Sequence, residues 1–263
     1  MSEFPARDPE EAPHNPAGSI GQWWARRGTG GRLPLGPALV HVFTASGIVC
    51  ALAATVALYQ GAYVVMFAWL AVAFVIDGVD GALARAVDVK GRLPRFSGEQ
   101  LDLVIDYITY VFIPALALLH AEYLSGWTGI ALASLILMSS LFHFSDTASK
   151  TEDHCFVGFP AIWNIVAFYI FALAPPAWLA SLVVLALSGL TFVPMRWLHP
   201  LRVRRLRGLN ITLLAVWLLA AGWILWQGFP AGPWPSLILA AVAIYATGQT
   251  LAMPWRDALK ARS

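Results

Sequence analysis

Asp77, Asp80, Asp102 and Asp106 lie in two apolar stretches, Asp77-Gly-Val-Asp80-Gly81-Ala-Leu-Ala84-Arg85 and Gly98-Glu-Gln-Leu-Asp102-Leu-Val-Ile-Asp106. An ionised carboxylate at bilayer depth costs about 3 kcal/mol on the mildest insertion scales and more on others, so four of them require a cation or a substrate. Residues three and four apart share a helix face. Asp77, Asp80, Gly81 and Ala84 therefore form one stripe, and Gly98, Asp102 and Asp106 another. The connection 87–97 is short enough to make the two helices antiparallel neighbours, with both aspartate pairs near one membrane edge. Oxygen-only donors suit Mg2+, Mn2+ or Ca2+ and argue against zinc. Gly81 and Ala84 keep their stripe free of bulk, so a substrate can lie against the backbone beside a metal. Arg85, one turn from Asp80, can offer a fork of donors to a phosphate. It is the one basic residue within the stripes, so a purely structural ion-pair network would leave most of the negative charge uncompensated. Two functions remain: an enzyme acting on a phosphorylated substrate, and a cation transporter with an intramembrane carboxylate relay. Clustering at one edge, beside a cleared surface and an arginine, favours the enzyme.

The elements that must position these residues are membrane spans. With 59% hydrophobic and 12% charged residues and a mean hydropathy of +0.67, the 263-residue chain falls among polytopic membrane proteins. Apolar stretches of spanning length, about 17–25 residues, are predicted near 37–60, 62–86, 99–121, 126–149, 158–175, 177–196, 209–227 and 234–252. The expectation is an all-α, polytopic integral membrane helical bundle of about eight transmembrane helices. All 17 Lys and Arg fall before the first span, at the end of the second or sixth span and in the loops that follow them, after the fourth, or after the eighth. One face then carries every positive charge, and the positive-inside rule makes that face, both termini and the aspartate edge cytoplasmic. The net charge of +2 is small and its one-sidedness reads as topology, so no nucleic acid is expected as a partner.

Residues 1–35 are expected to form a cytoplasmic N-terminal segment. Residues 1–19, rich in Pro and acidic side chains, have no apolar core of a signal peptide. Ile-Gly-Gln-Trp-Trp-Ala-Arg-Arg at 20–27 suits an interfacial helix at headgroup level or an ordinary anchor ahead of a span. Residues 36–252 make the membrane domain and 253–263 a cytoplasmic tail. Cys50 lies in a span and Cys155 in a loop, so no disulfide between them is expected. His41, His120 and His143 sit on apolar stretches where a satisfied core histidine is expected, not a ligand. The run Arg202-Val-Arg204-Arg205-Leu-Arg207 reads as topological anchoring, or as a site for anionic lipid phosphate.

The pattern D-x-x-D-G-x-x-A-R followed by G-x-x-x-D-x-x-x-D resembles the signature of the CDP-alcohol phosphotransferases, and every signature position is matched. Twelve residues separate Arg85 from Gly98; most of that family has a shorter loop. The longer loop, with Leu-Pro-Arg-Phe-Ser-Gly at 93–98, is similar to the family's bacterial branch that makes phosphatidylcholine. So are Val-Ile-Asp-Tyr-Ile-Thr-Tyr-Val-Phe-Ile-Pro-Ala at 104–115, Phe156-Val-Gly-Phe-Pro-Ala-Ile-Trp-Asn164 and Phe192-Val-Pro-Met-Arg-Trp-Leu-His-Pro200. The resemblance implies transfer of a phosphatidyl group from CDP-diacylglycerol to choline with release of CMP, with serine as the alternative acceptor of a sibling branch. It implies two divalent ions, Mn2+ or Mg2+, on Asp77, Asp80 and Asp102, with Asp106 completing the cluster and acting as base. Asp80, Gly81, Ala84, Arg85 and Gly98 would accommodate the cytidine diphosphate, and a homodimer in the bacterial inner membrane is expected. Choline, a quaternary ammonium, is held by aromatic faces. Tyr107, Tyr110, Phe159, Trp163 and Asn164 are the candidates for that pocket, although a chain with 12 Trp, 14 Phe and 7 Tyr supplies aromatics near any site.

Overall fold

The computed structural model describes residues 35–93, 96–146, 156–197 and 206–260. The interfacial segment at 20–27, Arg95, Lys150, Cys155 and Arg202, Arg204 and Arg205 lie outside the described residues. Helix α1 (Leu35–Tyr59) and α2 (Tyr63–Ala86) form an antiparallel hairpin. Their three-residue connection turns at Gly61, whose φ of +67° is a conformation that glycine adopts without steric cost. A single turn, α3 (Val89–Arg92), follows, entered at Asp88, whose carboxylate accepts from the Gly91 N–H at 3.3 Å. Ser97 then caps α4 (Gly98–Asp106), its hydroxyl accepting from the Gln100 N–H at 3.2 Å.

Helix α4 runs without a break into a π-helical segment, Tyr107–Phe112, and α5 (Ile113–His120). Sequence periodicity predicts an unbroken α-helix here, and Pro114 explains the departure. Proline has no N–H to donate to the carbonyl four residues earlier and its ring crowds that carbonyl. A widened turn just ahead of it relieves the crowding, and such π turns recur at functional sites.

Helix α6 (Gly126–Ser145), α7 (Trp163–Leu173), α8 (Ala177–Leu190), α9 (Arg207–Gln227) and α10 (Pro233–Lys260) complete the bundle. Among the described residues, five helical stretches are long and apolar enough to cross a membrane: Leu35–Tyr59, Tyr63–Ala86, Gly98–His120, Gly126–Ser145 and Arg207–Gln227. The chain is thus a multi-pass helical membrane protein. The predicted fifth and sixth spans are shorter helices, 11 and 14 residues, because Gly158 and Pro160 delay the start of α7 and Pro175-Pro176 separate it from α8. The predicted eighth span corresponds to the first part of α10.

One two-residue antiparallel ladder joins β1 (Phe156–Val157) to β2 (Arg196–Trp197), with Phe156 opposite Trp197. It pairs two of the segments that carry the family resemblance. Gly158 follows with φ +82°, where a Cβ would collide with the Thr191 carbonyl, so no larger residue fits.

The core is built from small residues on α1 (Ala51, Ala54, Ala57) and from Met66, Phe67, Val111, Leu118, Ile136 and Trp163, all buried. In lipid, where apolar burial drives little association between helices, small residues that let backbones approach take over this role. One such close approach is at Gly47 of α1, where a Cβ would stand 2.8 Å from the Ile105 side chain of α4. Hence α1 lies directly against the helix that carries Asp102 and Asp106.

Candidate active site

Asp77, Asp102 and Asp106 converge. One carboxylate oxygen from each lies within 4.8 Å of the others, and all three residues are half-buried. Helical spacing places Asp102 and Asp106 one turn apart on α4, and packing of α2 across α4 brings Asp77 to them. Three anionic oxygens that close repel one another strongly, and a divalent cation removes the repulsion. The all-oxygen donor set fits Mg2+, Mn2+ or Ca2+.

Asp80 stands outside that group of three. It is 6% exposed, between α1 and α2, and its carboxylate accepts the hydroxyl hydrogen of Thr44 on α1. The two aspartates of the first stripe therefore have different surroundings although they share a helix face. Gly81 is half-buried, and the position its Cβ would take lies 3.4 Å from the Arg85 guanidinium, which folds back over it. Arg85 is otherwise exposed at the end of α2, and Ala84 is half-buried on the same stripe. Gly98 faces the ring of His41 on α1, with 3.3 Å from its Cβ position to His41 Cε1. The signature positions on α2 and α4 thus gather around one site, and α1 supplies its third wall.

Tyr110 joins the site through the π segment. Its hydroxyl donates to Asp77 Oδ2 at 2.5 Å, and its ring packs against Phe74. Sequence reasoning puts Tyr110 on the Asp106 face; in the structure it orients the carboxylate of the opposite helix. Groups that orient a metal-binding carboxylate are worth about 10–100-fold in metal affinity. Tyr110→Phe is accordingly expected to raise the divalent-ion concentration for half-maximal activity by about tenfold while maximal activity at saturating ion stays within a few-fold. A titration of activity against Mn2+ reads this, and an unchanged midpoint would show that the bond is dispensable.

The other candidates for the acceptor pocket are tied down. Tyr107 donates its hydroxyl to the Leu137 carbonyl of α6 at 2.9 Å. Trp163 is fully buried, with Nε1 donating to Ser140 Oγ at 3.0 Å and Phe159 packed edge-on against its ring. Asn164, also buried, accepts from the Ile165 N–H. Of this set, the structure brings Tyr110 into contact with the carboxylates, and it puts Phe159 and Trp163 in the core behind the π segment.

Besides Tyr110, two residues of α1 in contact with the site lie outside the signature. Thr44 and His41 are spaced by three on α1, a polar pair on one face of an apolar span, and that spacing is the signal that could have found them. His120 meets the expectation of a satisfied histidine, with Nδ1 3.0 Å from the Tyr63 hydroxyl. His41 does not: it is 9% exposed and its Nε2 has no hydrogen-bond partner among the described residues.

This fold and carboxylate arrangement belong to a class of membrane-embedded transferases: residues 38–194 match the CDP-alcohol phosphatidyltransferase family, and the chain is a member of it. Within that class, the chain is 44% identical over 207 residues to the phosphatidylcholine synthase of Bradyrhizobium diazoefficiens, covering 78% of this chain and 77% of that protein. It is 45% identical over 188 residues to the phosphatidylcholine synthase of Pseudomonas aeruginosa, covering 72% of this chain and 79% of the relative. The phosphatidylcholine synthase of Borreliella burgdorferi is 33% identical over 181 residues, covering 68% of this chain and 76% of its own.

Proposed function

We propose that this protein is a phosphatidylcholine synthase, which transfers the phosphatidyl group of CDP-diacylglycerol to choline and releases CMP. The observation that carries the reading is the convergence of Asp77, Asp102 and Asp106 in a family member whose relatives bear that name over most of their length. Divalent ions, a pair of Mn2+ or Mg2+ held by Asp77, Asp80, Asp102 and Asp106, would supply charge neutralisation on the diphosphate and stabilise the departing CMP. Asp106 takes the proton of the choline hydroxyl as its oxygen bonds the phosphatidyl phosphorus and the bond to the CMP oxygen breaks. Tyr110 holds Asp77 in place. Arg85 offers its guanidinium to a phosphate oxygen over Gly81, where the absent side chain lets the diphosphate approach the backbone. Asp80, Ala84 and Gly98 complete the nucleotide wall.

For choline, the aromatic wall is proposed on Tyr107 and Tyr110 with Phe159, Trp163 and Asn164 behind them; the packing of α7 on the π segment supports it. At saturating Mn2+, Tyr110→Ala and Trp163→Phe are expected to raise the choline KM several-fold without a matching change in the CDP-diacylglycerol KM. Unchanged choline KM values in both would move the pocket elsewhere.

The basic residues support a topology of eight crossings, the shorter α7 and α8 included, with both termini and the site on the cytoplasmic side of a bacterial inner membrane. In this arrangement residues 36–252 are proposed as the membrane domain, between a cytoplasmic N-terminal segment 1–35 and a cytoplasmic tail 253–263. A homodimer is proposed on family resemblance.

CMP release from CDP-diacylglycerol by detergent-purified protein tests the reading, with choline, serine, glycerol 3-phosphate or no acceptor, with and without Mn2+. The expected result is release that needs both metal and choline, with phosphatidylcholine formed. Release with serine in place of choline would keep the family and overturn the acceptor. No release with any acceptor would point the carboxylates toward cation transport.

A further inference from the structure

His41 is the feature this mechanism leaves unused. Its imidazole is buried on α1, and its Nε2 is without a hydrogen-bond partner among the described residues. A buried polar nitrogen left unpaired carries the desolvation cost of the group, a cost a fold retains when something else supplies the partner. Two neighbours say where that partner comes from. The Cε1–Nδ1 edge of the ring faces Gly98, with 3.3 Å from Cε1 and 3.7 Å from Nδ1 to the position a Cβ would take, and Nε2, on the other side of Cε1, lies more than 4 Å from it. One turn further along α1, Thr44 bonds the Asp80 carboxylate. The ring therefore stands at the open backbone of Gly98, four residues and about 6 Å of helix rise from Asp102 of the carboxylate triad.

Given the reaction proposed above, on which this step rests, the diphosphate of the substrate lies on the triad and its acyl chains lie among the apolar helices. The nucleoside half is polar and must run the other way, toward the loop end of α4, which is where Gly98 and His41 stand. The Ser97-capped start of α4 adds a partial positive charge on the same side. We propose that His41 is a substrate-binding residue whose Nε2 hydrogen-bonds the nucleoside diphosphate of the lipid donor. His41 thereby extends the binding wall onto α1, and Gly98 is small because the nucleotide and the imidazole share the space beside it.

The test measures binding of CDP, in the presence of Mn2+, to the detergent-purified full chain, alongside choline and CDP-diacylglycerol KM values and thermal melting. Loss of one buried hydrogen bond predicts that H41F weakens CDP binding about tenfold or more, with the choline KM unchanged. H41Q, whose amide nitrogen falls near the position of Nε2, is expected to stay within about threefold of the wild type. H41N, whose amide falls near Nδ1, is expected to behave like H41F. If H41F melts as wild type does and binds CDP equally well, the proposal is overturned, and a shift in the choline KM alone overturns it too. If H41F does not fold, H41Q against H41N decides, and equal affinity in the two removes the role of Nε2. A wild type that releases no CMP but binds CDP would sink the reaction proposed above and leave His41 to be judged on binding alone. A wild type that binds no CDP would sink both.

Discussion

Asp106→Asn is expected to abolish CMP release, by about three orders of magnitude within the usual range for loss of a general base, while CDP binding changes by only a few-fold. Asparagine keeps the shape of the side chain and one oxygen for a cation, but it cannot accept a proton from an alcohol. The expectation follows from the position of Asp106 at the C-terminal end of α4, where it closes the triad with Asp77 and Asp102. Single-turnover CMP release with saturating choline, together with CDP binding to the same preparation, separates chemistry from binding. Activity within about tenfold of wild type would exclude a base with the usual rate contribution. Loss of CDP binding in parallel with activity would instead make Asp106 a binding group only.

Removal of divalent cations should have an equally large effect. Two unit charges 4.8 Å apart interact by about 3 kcal/mol at the effective dielectric of a protein near its surface, and by less where water screens these half-buried groups. With three such pairs, the triad is electrostatically strained until a divalent cation sits among its oxygens. Chelation is expected to end CMP release, and Mn2+ or Mg2+ to restore it. The same ions should raise the melting temperature of the wild type, because an ion that binds the folded state stabilises it by mass action. Asp102→Asn removes one ligand and part of the repulsion, so its melting temperature should respond weakly to the ions and its activity should fall at least a hundredfold at metal levels that saturate the wild type, the upper end of the affinity losses seen around metal ligands being about that size. Full ion-induced stabilisation of Asp102→Asn would mean that the metal is held elsewhere.

Much of the site is legible in the sequence because its determinants are local. Helical periodicity puts Asp102 and Asp106 one turn apart whatever the rest of the chain does, and the small residues Gly81, Ala84 and Gly98 mark their stripes in the same way. The burial pattern of α2, with Asp77, Asp80, Gly81 and Ala84 turned inward and Gly78, Val79, Ala82 and Leu83 outward, follows from the same spacing. The π segment was less legible. Pro114 hints at an irregularity, but which turn widens depends on what Tyr107 and Tyr110 reach, and their partners lie on α6 and α2. The short helices α7 and α8 lie in stretches apolar enough to read as spans, and their limits were set by a proline pair and by Gly158, at a place against the Thr191 carbonyl where only glycine fits.

The sequence by itself determined that this is a multi-pass membrane protein, that it carries four carboxylates in two facing stripes, and that oxygen-loving divalent cations suit them. The reason is energetic: charged groups in apolar spans are too costly to be incidental, and helix geometry is written in nearest-turn spacing. Only the tertiary structure decided which carboxylates meet. Asp77 turns to the α4 pair and to Tyr110, Asp80 to Thr44, and His41 to the bare backbone at Gly98 without a partner for its Nε2 among the described residues. These outcomes depend on how closely α1, α2 and α4 approach and how far each is rotated about its axis. Contacts such as Gly47 against Ile105, between residues far apart in the chain, set those quantities, and no local periodicity encodes them.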